Sequence, residues 1–214
     1  MKYKTIFFDS GGVLIFGNPW VKLAEAVHIP LELDQKWLDD YYDGKISFQD
    51  WNRNVESYYL KAKLDKNTFE KVLDFKNYIF NKEAVGLIEY LQDKGYQIAI
   101  ISSDTDYFMG KIAKHYGIDI FKANCRFVFD KSGLFKKREY ISSDPEAKVI
   151  QINEVCKDLD INPEETIFIG DSINDSRAFQ HTKHGIMYGN HPQLAKFAWK
   201  NVKDLREIIK ILEE

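Results

Sequence analysis

Two short segments, far apart, constrain this chain more than anything else in it. Near the start, Ile6-Phe7-Phe8 runs straight into Asp9; near the end, Ile167-Phe168-Ile169-Gly170 runs into Asp171 and then Asp175. A short, continuous apolar run bounded by turn residues suits a strand buried on both faces, as in a parallel sheet. Open α/β sheets place their chemistry in the loops at the carboxyl ends of such strands. If the two strands are neighbours, three carboxylates from distant parts of the chain converge on one pocket. That pocket is suited to hold a divalent cation and to supply a nucleophile.

The 214 residues make one domain of ordinary size, or one domain with a sizeable insertion. A chain of this length buries roughly 70% of its unfolded surface, enough to fold without a disulfide or a structural metal. The formal net charge is −3, with no basic stripe of the kind a nucleic-acid binder shows. The cluster Lys136-Lys137-Arg138 reads as a solvated turn. Cys125 and Cys156 are isolated and lack zinc-like spacing, which points to a reducing compartment. The apolar run after Lys2 is broken by Asp9, so it does not read as a signal peptide, and no stretch is apolar enough to span a bilayer. The expectation is a soluble cytoplasmic protein without nucleic-acid, membrane or obligate protein partners.

Apolar runs and helical stretches alternate, which predicts an α/β, Rossmann-like three-layer core with a mostly parallel sheet. Strands are expected at Thr5–Phe8, Gln97–Ile101, Thr166–Ile169 and, as a short last one, Gly185–Met187. Helices are expected at Lys82–Lys94 and Tyr107–Tyr116, each followed by glycine, at Glu146–Leu159, and at Val202–Leu212. Arg126–Asp130, a Lys131-Ser132-Gly133 turn and Leu134-Phe135 read as a small hairpin. Residues 16–80 differ: they hold Trp20, Trp37, Trp51 and paired tyrosines, with helix-compatible segments at Pro19–Val27, Gln35–Tyr42, Phe48–Leu60 and Lys66–Leu73. The expected organisation is a core of residues 1–15 and 81–214 with a helical insertion, 16–80, after the first strand.

Taken in order, Asp9 in IFFDSGGVL, Ser102 in IAIISS, Lys148 and the Asp171/Asp175 pair in IGDSIND resemble the four motifs of the haloacid dehalogenase-like hydrolase superfamily. The spacing from Lys148 to Asp171 and the segment KANCRFVFDKSGLF look most like its phosphoserine phosphatase-like branch. The insertion matches the small helical cap of that branch. The resemblance implies a Mg²⁺-dependent phosphatase acting on a small phosphorylated metabolite. By the family pattern, Asp9 attacks phosphorus and forms an aspartyl-phosphate. Asp9, Asp171 and the carbonyl of Gly11 ligate Mg²⁺, with Asp175 nearby. Ser102, Ser103, Lys148 and the backbone of Gly11-Gly12 face the phosphoryl oxygens.

Physical chemistry supports these roles. Phosphate oxygens repel an incoming anion, and Mg²⁺, which takes oxygen ligands, neutralises that charge.

Two departures matter. Phosphatases of the superfamily carry a second Asp two residues after the nucleophile, as general acid and base; here that position is Gly11. Losing such a group typically costs about 10²–10⁴ in rate. Asp104 is the candidate stand-in, with Asp43 the weaker one. Phosphoserine phosphatases also carry a Glu shortly after the first motif, and the corresponding place falls near Asn18. Two alternatives therefore stay open: a catalytically weakened relative that binds phosphate or a partner, and a haloacid dehalogenase. Blander readings exist for each residue: Asp9 as a turn opener, Asp171 and Asp175 as turn and helix-capping groups, Ser102 as an N-cap, Lys148 as an exposed helical lysine. The five histidines show no ligand pairing, and the aromatics of 16–80 read as a small core.

Overall fold

A computed structural model describes residues 2–213. In chain order the strands are β1 (Thr5–Phe8), β2 (Ile15–Phe16), β3 (Ile79–Phe80), β4 (Gln97–Thr105) and β5 (Ile120–Phe129). They continue with β6 (Phe135–Tyr140), β7 (Thr166–Gly170), β8 (Gly185–Tyr188) and β9 (Lys200–Val202). The helices are α1 (Pro19–Ala26), α2 (Leu31–Tyr42), α3 (Phe48–Lys61), α4 (Lys66–Val72) and α5 (Lys82–Asp93). After them come α6 (Asp106–Tyr116), α7 (Asp144–Asp158), α8 (Ser176–Thr182) and α9 (Glu207–Glu213). The chain divides into two compact units. One comprises the segment up to Gly17, Ile79–Cys125, and everything from Ile141 onward; the other comprises Asn18–Tyr78 with Arg126–Tyr140.

The first unit is the expected α/β architecture. Its sheet runs in the order β6-β5-β4-β1-β7-β8-β9, the C-terminal part of β5 and all of β6 belonging to the other unit. β1 is central and wholly buried, parallel to β4 on one side and to β7 on the other. Phe7, Ala99, Ile101 and Phe168 bury one face against Ile152 and Val155 of α7 and Ala178 and Phe179 of α8. Alternation sends Ile6, Phe8, Ile98, Ile100, Ile167 and Ile169 to the opposite face, and all six are buried. Gly95 and Gly117, at φ +77° and +64°, terminate α5 and α6 in the left-handed conformation that glycine adopts without strain.

Two short antiparallel strands tie the entry and exit of the 16–80 insertion: Ile15 pairs with Phe80 and Phe16 with Ile79. Asn81 secures this neck through its side-chain N–H to the Val13 carbonyl (2.8 Å) and its backbone N–H to that of Leu14 (2.9 Å).

The structure corrects three boundaries. β4 does not stop at Ile101 but continues to Thr105, because polar residues there keep pairing with β5 across a register shift between Ser102 and Thr105. Gly185–Tyr188 is not the last strand, since Lys200–Val202 adds β9 in parallel. Val202 is therefore buried in a strand, and the terminal helix begins only at Glu207.

In the second unit, the N-caps are Asn18 for α1, Ser47 for α3 and Asp65 for α4, each accepting a first-turn N–H. Residues 126–140, which the sequence reading kept with 81–214, pack with these helices. The ring of Phe127 lies 4.5 Å from Phe69 and 5.5 Å from Tyr59, and Phe135 lies 5.2 Å from Tyr59. Lys136-Lys137-Arg138 is not a solvated turn. It lies in β6, and Arg138 is buried against Trp20, Tyr59 and Tyr140 while its guanidinium donates to the Asn52 carbonyl (3.0 Å) and faces Glu56.

Candidate active site

The in-register pairing of β1 with β7 sets Phe8 beside Ile169, and the Asp9 N–H donates to the Ile169 carbonyl at 2.9 Å. Both strands therefore end at the same level, and their acidic residues meet. Among the described residues, Asp9, Asp171 and Asp175 form the one metal-competent group of three, offering oxygens within 4.8 Å of one another.

Asp175 is buried and organises the loop after β7. One of its oxygens accepts the backbone N–H groups of Asp171 (3.0 Å) and Ser172 (3.1 Å), and the other accepts from Lys148. Lys148 is no exposed helical lysine: it is wholly buried in α7. An ammonium has three N–H donors, and these are taken by Asp175, by Asp9 at 3.2 Å and by Asn174 at 3.1 Å. Burial acts to lower its pKa, but the charges of Asp175 and Asp9 outweigh burial and raise it, so the lysine stays protonated.

The carboxylates are less comfortable. Burial, with the repulsion of Asp175 and Asp171, holds Asp9 well above the usual range despite Lys148. Burial and Asp175 push Asp171 up to about 7. Three carboxylates against one ammonium leave a surplus of two negative charges, which fits a divalent cation with oxygen ligands.

Glycine is required at two points around this cluster. A Cβ on Gly12, whose φ is +72°, would lie 2.0 Å from an Asp171 carboxylate oxygen, and one on Gly170 would lie 2.4 Å from an Asp175 oxygen. Gly11 is different: a Cβ there would meet nothing within 4 Å, and its φ is outside the left-handed region.

Ser102 and Ser103 lie in the polar end of β4, not in a loop after it. The Ser102 hydroxyl accepts the Asp104 N–H (3.1 Å) and shares a 2.7 Å hydrogen bond with the buried hydroxyl of Ser10. Ser10 was missed from sequence. The signal was available: extending the Phe8–Ile100 register by two residues places Ser10 opposite Ser102. The Ser103 hydroxyl oxygen is buried without a hydrogen-bond partner.

Asp104 is also in β4. Its carboxylate accepts the Thr105 N–H at 2.6 Å, and burial, then the charge of Asp144, raises its pKa to about 7. The charge that acts on it is thus Asp144's, not one from the Asp9 cluster. Asp43 ends α2 in the second unit, paired with Lys45 at 2.8 Å. The Asn18 side-chain oxygen is committed to capping α1, accepting from Trp20 at 2.9 Å.

A family model described as haloacid dehalogenase-like hydrolase matches residues 3–181, a span that contains every site residue above. The phosphoserine phosphatase of Methanocaldococcus jannaschii is 26% identical over 221 aligned positions, covering 99% of each chain. That of Lactococcus lactis is 29% identical over 170, covering 79% of this chain and 76% of its own. A solved structure, a phospho-aspartyl intermediate analogue of phosphoserine phosphatase, superimposes with a TM-score of 0.82 at 26% identity, covering 99% of both chains.

Proposed function

Because this chain belongs to the haloacid dehalogenase-like hydrolases, in their phosphoserine phosphatase-like branch, we propose that it is a phosphatase that hydrolyses a small phosphorylated metabolite through Asp9. The observation that carries this reading is the convergence of Asp9, Asp171 and Asp175 around Lys148. An Asp9 oxygen attacks phosphorus as the bond to the leaving oxygen breaks. Water then attacks the aspartyl-phosphate, releasing phosphate and restoring the carboxylate.

Asp9, Asp171 and the Gly11 carbonyl would hold Mg²⁺, with Asp175 fixing the loop that presents Asp171. The bound ion supplies neutralisation of phosphoryl charge. Lys148 spends its donors on Asp9 and Asp175, so its part is to hold both as carboxylates. Ser102, Ser103 and the backbone N–H groups of Gly11-Gly12 take the phosphoryl oxygens. The Asp104 N–H donates to Ser102, and when Ser10 donates to it as well that hydroxyl keeps its own proton for a phosphoryl oxygen.

The helical second unit is the candidate for the family's cap, and the two cysteines, Cys125 and Cys156, isolated in sequence and both buried, suit a reducing, cytoplasmic setting. No described helix is long and apolar enough to cross a membrane. Phosphoserine itself is disfavoured, because Asn18 offers no charge for an amino group and its oxygen already serves α1.

A second reading, a weakened relative that holds phosphate or a partner, is favoured by Gly11 alone. Dehalogenation ranks lower, since it has no use for a cation and the acidic cluster calls for one.

Phosphate release from a panel of phosphorylated metabolites with Mg²⁺ tests the proposal. We expect turnover in the native chain and a loss of at least about 10³-fold in Asp9→Asn, which leaves no nucleophile. No release from either protein, with Mg²⁺ still bound, selects the weakened relative.

A further inference from the structure

The site has a nucleophile and charge compensation, but among the described residues no ionisable side chain of the Asp9 cluster is left to give a proton to a leaving group. Each ionisable side chain of the Asp9 cluster is already committed. Asp175 accepts from Lys148 and two backbone N–H groups, and Lys148 spends all three N–H donors on Asp9, Asp175 and Asn174. Asp171 is a ligand candidate of the acidic cluster. Asp104 turns its carboxylate to the Thr105 N–H and feels Asp144 instead. At Gly11, two residues past Asp9, no described side chain fills the space a Cβ would open into.

Phosphoryl transfer to Asp9 breaks the bond from phosphorus to the leaving oxygen, which departs with the electron pair. An alkoxide is about as basic as hydroxide, whose parent water has a pKa of about 15.7, and so needs a proton as it leaves. A carboxylate, whose acid has a pKa of about 4, leaves as a stable anion without one.

Resting on the phosphatase reading above, we infer that this site is selective for activated phosphates, in which the phosphoryl group sits on an acyl, phosphoryl or aryl oxygen, over simple alkyl phosphate esters. The same lack slows the second step. Water must attack phospho-Asp9 and shed a proton to solvent without a neighbouring base, so the phosphorylated enzyme accumulates.

The test compares acetyl phosphate, a series of substituted phenyl phosphates and an alkyl phosphate in the native chain and in Gly11→Asp, each with Mg²⁺. The open space and ordinary φ at Gly11 leave room for the new side chain. In the native chain, kcat/KM should fall steadily as the leaving group becomes more basic. A burst of one phenol per chain should precede slow turnover, with a phosphoryl adduct on Asp9 in the intact mass. Gly11→Asp should raise kcat/KM for the alkyl phosphate by about 10²–10⁴-fold and that for acetyl phosphate by less than tenfold, flattening the series, and should speed breakdown of the Asp9 adduct.

The inference is overturned if the native chain cleaves alkyl and acetyl phosphates with kcat/KM within tenfold of each other. It is equally overturned if Asp104→Asn selectively slows the alkyl ester, since a proton donor then exists. The leaving-group series on the native chain decides the matter even if Gly11→Asp fails to fold. Release of phosphate from no substrate, acetyl phosphate included, would instead remove the phosphatase reading and this inference with it.

Discussion

Asp171 stands where steric and electrostatic constraints meet: Gly12 leaves it room only by lacking a Cβ, and burial with the Asp175 charge moves its pKa up to about 7. A cation must compete with that proton. Mg²⁺ affinity measured by calorimetry should therefore fall by about tenfold per pH unit below 7, with protons released on binding. Affinity unchanged between about pH 8 and about pH 5.5 would mean that Asp171 is not a ligand. At this scale the three aspartates were legible in sequence, because Asp9 and Asp171 each end an apolar run that suits a buried strand and Asp175 lies four residues beyond Asp171. The burial of Lys148 was not. A helical lysine is exposed by default, and only two carboxylates brought in from other elements compensate its desolvation.

Among the elements, β4 and β6 show what patterning conveys and omits. Apolar residues marked the start of β4, but Ser102–Thr105 belong to it through ladder hydrogen bonds that carry no hydrophobic signature. β9 was invisible for the same reason, with one buried residue in Lys200–Val202. In β6, Arg138 looked like part of a charged turn, yet Trp20, Tyr59 and Tyr140 surround it and Glu56 accepts its backbone N–H at 2.9 Å. Removing that cation while leaving its partner should destabilise the second unit. Arg138→Met is expected to cost about 2 kcal/mol in urea unfolding, below the about 3–5 kcal/mol of a fully buried pair because Glu56 is partly exposed. A midpoint equal to the native one would show that ring packing, which Met retains, supplies all the stability.

For the molecule as a whole, the surplus negative charge links folding to the ion. Asp171 has its pKa raised from 3.8 to about 7, so its contribution to stability is complete below about pH 4 and is lost as pH rises through 7. Without a cation the fold should thus be less stable at pH 8 than at pH 6 by the part of this contribution that remains at pH 6. Mg²⁺ at about 100 times its dissociation constant adds about 2.7 kcal/mol, or about 5–10 °C in Tm for a chain of this size. At one fixed Mg²⁺ concentration the rise should be larger at pH 8 than at pH 6, and chelation should reverse it; equal shifts at both pH values would uncouple the ion from Asp171. The sequence by itself determined the α/β class, the helical nature of the insertion and the identity of the acidic groups, because periodicity and abrupt apolar ends are local properties. Only the tertiary structure decided that β1 and β7 are neighbours in register, that Lys148 lies inside the cluster, that Ser10 meets Ser102, and that residues 126–140 join the second unit. Those facts depend on pairings between segments remote in sequence, whose energy comes from burial and charge compensation that exist only once the chain has closed on itself.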